Sequence, residues 1–307
     1  MKAIQIHEYG GADVLRYEDA PVPAMRADDV LIRVVAASFN PIDAKIRQGF
    51  MQKDMPRPLP FVLGWDCAGI VEEVGAIVRK FKTGDEVYSY PEFARGGTYA
   101  EFVAVNENQV ALKPKTLSLV ESAALPMTAQ AALLALETAE LKSGQTILIH
   151  GGAGGVGTMA IQMAKALGAN VITTASGDGL DLVKSLGADE TIDYKQTNFK
   201  TVVRGANVVL DVLGGETQED SWGALKKGGF LVATAIPPAK EKAEQFGVRA
   251  KFIFTPPSGA ALKKIAALFD AGKLRPIIGA KLSLTNARQA HEAKNGNGKI
   301  VINVEQP

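Results

Sequence analysis

Cysteine is almost missing from this chain: Cys67 is the only one in 307 residues. That excludes an intramolecular disulfide framework, a cysteine-rich zinc knuckle and a CxxC redox centre, and makes a reducing, cytoplasmic setting the expectation. Histidine is scarce too. His7, His150 and His291 are scattered, and neither HExxH nor any Cys/His spacing offers a metal site. No GxSxG elbow occurs, so serine-hydrolase chemistry has no support. Neither sign of charge dominates: 34 basic residues against 33 acidic ones leave a formal net charge of +1. With no basic run able to track phosphates, nucleic acid is not an expected partner. No segment approaches the roughly 18–20 uninterrupted apolar residues of a membrane span. The opening MKAIQIHEYGG places His7 and Glu8 where a signal peptide needs an apolar stretch, so a soluble, unprocessed chain is expected.

What is present reads as an ordinary globular protein, 47% hydrophobic and 22% charged, long enough for two domains. Up to about residue 120, short runs rich in Val, Ile and Tyr alternate with Gly, Pro and Asn: Val30–Ala37, Gly69–Val74, Glu86–Ser89, Tyr99–Val105 and Gln109–Leu112. These predict a β-rich domain. From Ser118 an Ala/Leu-rich segment with helical spacing begins, and a boundary is placed near 118–122. Strand and helix then alternate: Ile147–Ile149, helix 156–167, Val171–Thr174, helix 180–186, Glu190–Ile192, Val208–Asp211, a helix near 217–225, Phe230–Ala233 and Phe252–Phe254. That order predicts βαβ units around a six-stranded parallel sheet. A further helix at 260–270 ends at Gly272, and the tail after it, with a last strand Lys299–Val304, is too short to fold unless it docks on another part.

The sharpest local signal is Ile147-Leu-Ile-His-Gly-Gly-Ala-Gly-Gly-Val-Gly157, a β-branched strand running into a Gly-rich turn that opens a helix. Gly152, Gly154 and Gly157 fill GxGxxG, assigned to a tight turn, close backbone approach to a pyrophosphate, and helix-on-strand packing respectively. N–H groups at the start of the helix would meet the phosphates. The next strand ends Thr174-Ala175-Ser176-Gly177, without the carboxylate that NAD binders place against the ribose 2′-hydroxyl. Ser176 is able to donate to a 2′-phosphate, which leans toward NADP, whereas the nearby Asp178 argues mildly against it. Phe39-Asn-Pro-Ile-Asp43 is accounted for by capping, with Asn40 as N-cap, Pro41 at N1 and Asp43 at N3. Small residues in Leu63-Gly-Trp-Asp-Cys-Ala-Gly69 suggest packing, and Cys67 reads as a buried small hydrophobe. His150, at the end of the first strand of the parallel sheet, either touches cofactor or is a hydrogen-bonded structural residue.

Taken together, these segments resemble the medium-chain dehydrogenase/reductase superfamily, in its zinc-free quinone oxidoreductase and enone reductase branch. The resemblance runs through MKAIQIHEYGG-ADVL, NPIDAKIRQG, GWDCAGIVEEVG, FKTGDEVY, GGTYAEFVAV, AALPMTAQAAL, GAGGVG, KSLGADETIDY, DVLGG and GKIVINV. The implied fold is α/β: a GroES-like catalytic domain, residues 1–120 completed by 273–307, and a Rossmann domain over 121–272. The resemblance also implies that Asn40 and Asp43 line the active-site cleft and that Thr128 sits against the nicotinamide. Gly152, Ala153, Gly154, Gly155, Val156 and Gly157 would take the pyrophosphate, and Thr174, Ser176 and Tyr194 would lie near the 2′-phosphate. Leu213, Ala235, Ile236 and Phe254 would border the cofactor. Zinc alcohol dehydrogenases of the superfamily carry a Cys where this chain has Asn40, a Gly-His-Glu where it has Gly64-Trp65-Asp66, and a Cys near Ala124. Those ligands are absent here. NADPH-binding relatives commonly carry a Lys shortly after the Ser, and Gly177-Asp178-Gly179-Leu180 has none, so the NADPH preference should be modest.

The implied activity is NADPH-dependent hydride transfer to a quinone or an α,β-unsaturated carbonyl without zinc, by a homodimer. Tyr88 and Tyr90 are candidate proton donors. Two alternatives remain open: a 2-enoyl thioester reductase, and an NADPH-binding sensor or structural protein without useful turnover.

Overall fold

The computed structural model describes residues 1–53, 56–293 and 296–305. It divides into two compact units, Met1–Met127 with Pro256–Pro307, and Thr128–Thr255.

The first unit is built on one long strand, Asp29–Ser38, whose sequence DVLIRVVAAS combines β-branched residues with small ones. It pairs antiparallel with Cys67–Val74, Phe102–Asn106 and Lys299–Asn303. Ile278–Ser283 continues the sheet beyond Lys299–Asn303, and Glu86–Ser89 and Val110–Leu112 continue it beyond Cys67–Val74. The C-terminal tail is thus held by backbone pairing. Gly69 is needed where the central strands meet, because a Cβ there would lie 2.1 Å from the Arg33 carbonyl oxygen. A second sheet of Arg16–Asp19, Lys2–Ile6 and Phe61–Val62 was not expected. The buried residues Ile32, Val34, Leu63, Trp65, Val87 and Tyr99 belong to the core of this unit.

In the second unit six strands pair in the order Glu190–Asp193, Asn170–Ala175, Thr146–Ile149, Ala206–Asp211, Leu225–Ala233, Arg249–Phe252, all parallel. Strand order reverses beside Thr146–Ile149, and open parallel sheets bind ligands at the carboxyl ends of the strands near such a switch. Helix Gly155–Ala166 follows the first strand, with eight consecutive buried residues from Gly157 to Ala164.

The structure corrects three expectations. The second unit begins at Thr128 and ends at Thr255, where 121 and 272 were expected. Helix Gly259–Asp270 groups with the first unit, because the Tyr88 hydroxyl donates to the Leu262 carbonyl at 2.5 Å and Gly259 packs against the Val110 carbonyl. The sixth strand is Arg249–Phe252, shifted from the expected Phe252–Phe254. Register explains the shift: Arg249 pairs with Phe230, with its guanidinium 4.5 Å from that ring, and Ile253 leaves the strand buried. Among the described residues, no helix is long and apolar enough to cross a membrane.

Candidate functional site

The glycine-rich loop joins Thr146–Ile149 to helix Gly155–Ala166, with Gly154 as N-cap in extended conformation. The first N–H groups of an α-helix have no intrahelical partner, so Gly155, Val156 and Gly157 present donors to an anion. The glycines divide the work differently from the GxGxxG expectation. The left-handed turn is made by Gly151, at φ +65°, and not by Gly152. Gly152 instead packs so closely that a Cβ would lie 2.1 Å from Thr173 Oγ1, and at Gly157 it would lie 2.3 Å from the Gly151 carbonyl oxygen. At Gly154 a Cβ would meet only that same carbonyl oxygen, at 3.3 Å. Of the three motif glycines, Gly154 is therefore the one at which a side chain would press least on the protein.

His150 is fully buried, with Nε2 2.9 Å from Ser221 Oγ and Nδ1 3.3 Å from Thr174 Oγ1. Burial holds its pKa down to about 4. It is a structural residue. Thr174 is buried, its hydroxyl accepting from the Gly151 N–H at 3.3 Å, and it supports the loop. Ser176 and Tyr194 are brought together on the open surface, the Ser176 hydroxyl donating to the Tyr194 hydroxyl at 2.9 Å. One wall is set by Asp211, whose Oδ1 accepts from the N–H groups of Leu213 and Gly214 at 2.9 Å each. Gln218 ties this turn to the next strand end by donating to Asp211 Oδ2 and to the Ile236 carbonyl. Leu213, Ile236, Phe254 and Tyr194 all stay about half exposed, and Ala235 is partly buried. Such apolar side chains at strand ends suit the flat faces of a dinucleotide. Thr128, the third residue of helix Pro126–Thr138, is 6% exposed.

In the first unit, helix Pro41–Arg47 starts with Pro41 after the N-cap Asn40, as expected. The Asp43 carboxylate accepts from the Asn40 N–H at 2.9 Å and from the Tyr99 hydroxyl at 2.7 Å. Burial raises its pKa to about 7 against these two bonds and the Lys299 charge. Asn40 and Asp43 are buried, 2% and 0% exposed. Asn40 points its side chain elsewhere: Nδ2 donates to Asp66 Oδ2 at 2.8 Å, while Oδ1 accepts from the Lys299 ammonium at 2.6 Å. Tyr88 and Tyr90 are buried and their hydroxyl pKa values are pushed upward, so neither is a surface proton donor. Cys67 is buried and its thiol pKa is raised by desolvation.

Sequence reasoning misses Lys299 and Asp66 as site residues. A lysine opening an edge-proximal strand reads as solvent-facing, and the one sequence signal is its place in GKIVINV. Here its side chain is 7% exposed and Asp66 0%.

A parallel dinucleotide-type sheet with this loop, in one chain with an antiparallel β unit, defines the class of two-unit dehydrogenases and reductases. Residues 26–115 match the family described as alcohol dehydrogenase GroES-like domain, and residues 186–302 match zinc-binding dehydrogenase. The 2-methylene-furan-3-one reductase of Solanum lycopersicum is 41% identical, covering 98% of this chain and 79% of that protein. The quinone oxidoreductase of Sus scrofa is 31% identical, covering 98% and 97%. Among solved structures, the quinone oxidoreductase from Coxiella burnetii has a TM-score of 0.92 at 37% identity over 99% of both chains. The Escherichia coli quinone oxidoreductase complexed with NADPH gives 0.89 at 26% identity over 99% of this chain and 100% of that one. The chain belongs to the medium-chain dehydrogenase/reductase superfamily, in its quinone oxidoreductase branch, and is an oxidoreductase.

The zinc in one family description does not suit the residues present. Asn40 offers an amide, Trp65 an indole and Ala124 nothing, and no group of three or more His, Cys, Asp or Glu able to hold a metal occurs among the described residues. The one carboxylate, Asp66, already accepts from four donors: Met127 N–H, Ser38 Oγ, Asn40 Nδ2 and Lys299 Nζ. Zinc prefers thiolate, imidazole and free carboxylate ligands in a tetrahedron.

Proposed function

We propose that this oxidoreductase is an NADPH-dependent, zinc-free reductase of quinones or α,β-unsaturated carbonyls. The observation that carries this reading is the centre at Asn40, Asp66 and Lys299, which holds neither thiolate nor imidazole and whose one carboxylate is engaged internally. Without a Lewis acid to stabilise an alkoxide, the acceptor itself has to spread the incoming negative charge, which a quinone or enone does.

The cofactor site fits a phosphorylated dinucleotide. Gly154 leaves room for the pyrophosphate, and the N–H groups of Gly155, Val156 and Gly157 point their donors at it. Ser176 and Tyr194 offer hydroxyls to the 2′-phosphate where a carboxylate would repel it. Leu213, Ala235, Ile236 and Phe254 cover the apolar faces, and Thr128 orients the nicotinamide. When bound, reduced nicotinamide supplies a hydride for an electrophilic carbon. Asn40, clamped at both ends of its amide, contributes positioning. Two relatives support the cofactor assignment: the Escherichia coli quinone oxidoreductase complexed with NADPH, and the NADPH-dependent alkenal/one oxidoreductase of Arabidopsis thaliana, 39% identical to this chain.

The test is NADPH oxidation with a panel of quinones, short enones and saturated ketones. Turnover is expected with the first two classes and not the third, because only they delocalise the charge. Efficient reduction of a saturated ketone would overturn the mechanism.

A further inference from the structure

The Lys299 ammonium donates to the Phe39 carbonyl at 2.7 Å, to Asn40 Oδ1 at 2.6 Å and to Asp66 Oδ2 at 3.3 Å. An ammonium has three N–H donors, and here each has an acceptor. Asn40 closes a ring by donating to Asp66 Oδ2, so its amide is held in one orientation. Burial pushes the Asp66 carboxyl pKa up and the Lys299 ammonium pKa down, and each group opposes the shift of the other. A buried charge with no partner is too costly to keep, so the pair stands or falls together.

We propose that Lys299 is the resident cation of this centre. Its single positive charge offsets the negative charge of the buried Asp66 carboxylate, closes the place to zinc, and positions the Asn40 amide. The ammonium meets the negative charge of Asp66 with one positive charge, and a divalent ion entering the ring would have to displace it. Lys299 acts through Asn40 and is therefore a positioning residue.

Charge compensation is tested by melting Lys299→Met, Asp66→Asn and the double variant. Breaking one half of a buried pair is expected to lower Tm by roughly 10 °C in Lys299→Met, and the double variant should recover more than half of that loss. A double variant as unstable as Lys299→Met overturns the proposal. If Lys299→Met does not fold, a cooperatively melting double variant supports compensation, and one that also fails to fold refutes it.

Zinc exclusion is tested by dialysing wild type and Asp66→Asn against the same zinc solution. Equal retention is expected, and a zinc equivalent held by wild type but lost from Asp66→Asn overturns the exclusion. Positioning is tested on the folded double variant, which should bind NADPH as wild type does while kcat with a quinone falls roughly tenfold. An unchanged kcat refutes the positioning role. This last measurement alone rests on the proposed reaction, so a chain inactive with quinones would leave the melting and zinc results to decide the role of Lys299.

Discussion

Glycine serves three separate ends within one loop, and each substitution has its own expected outcome. Gly151 takes the left-handed turn, Gly152 and Gly157 let backbone and side chains close up, and Gly154 leaves space. Gly154→Val should weaken NADPH binding by about tenfold or more with little change in Tm, since its backbone is already extended and a side chain there meets mainly ligand. Gly157→Ala should instead lower Tm by several degrees, because the Cβ would press on the Gly151 carbonyl. Cofactor titration and melting curves on the two variants distinguish them. Equal loss of binding and stability in Gly154→Val would mean the ligand passes elsewhere.

Asp43 gives a pH dependence with a definite sign. Its pKa in the folded chain is raised to about 7 by burial, above the value of about 4 in an unfolded chain. The unfolded state then releases its proton first, so the stability this group contributes is present below pH 4 and is lost as pH rises toward 7. Asn at position 43 does not titrate and can still accept from the Tyr99 hydroxyl and the Asn40 N–H. The stability of Asp43→Asn relative to wild type should therefore rise between pH 4 and 7 and level off above. Denaturant titrations across that range measure it, and a flat difference would assign Asp43 an ordinary pKa.

Among elements, the strand Asn170–Ala175 and the turn after it are proposed to set cofactor choice. The Ser176–Tyr194 pair offers neutral hydroxyls, and the turn lacks a lysine, with Asp178 exposed. Charge-assisted hydrogen bonds are stronger than neutral ones, so the preference for NADPH over NADH should be modest in wild type. Asp178→Lys removes a repelling charge and adds an attracting one. It should raise the NADPH to NADH ratio of kcat/KM by about ten- to thirtyfold, on the order of 1–2 kcal/mol. An unchanged ratio would place the 2′-phosphate away from this turn. The helix Pro41–Arg47 carries a similar lesson: Asp43 reaches back to its first turn, while Asn40 turns its side chain to Lys299 and Asp66.

For the whole molecule, the expected homodimer is proposed to form across the edge strand Arg249–Phe252. This strand ends the six-stranded sheet, and an open edge is a template for another strand. It is blunted here by the exposed Arg249 and Lys251, a different edge from the apolar Phe252–Phe254 read from sequence. A two-fold pairing brings these charges from both copies together, so association should be weaker at low ionic strength and tighter as salt screens them. Light scattering at micromolar concentration should report a dimer in moderate salt. A monomer at every ionic strength would reject this interface.

Periodicity and turn chemistry make much of the fold legible in advance. Glu86–Ser89 is read to the residue, and the alternation after residue 146 announces the parallel sheet, because each βαβ unit is local in the chain and the central strands Thr146–Ile149 and Ala206–Asp211 carry apolar runs. The glycine-rich loop is legible for the same reason. Strands Lys2–Ile6 and Ile278–Ser283 are not, since Lys2 and Gln5 interrupt the first, which also pairs with the distant Phe61–Val62, and Gly279 and Lys281 interrupt the second. Helix Gly259–Asp270 is found, but its allegiance is settled by contacts with Val110 and with Tyr88, the latter 174 residues before its partner Leu262. The centre at Asn40, Asp66 and Lys299 spans |i−j| of 26, 233 and 259 in its pairs. Sequence alone says which metal ligands are missing. That a lysine ammonium stands among those positions follows from the antiparallel pairing of Lys299–Asn303 beside Asp29–Ser38, because long-range strand registry, and no local pattern, brings those three side chains within hydrogen-bonding distance.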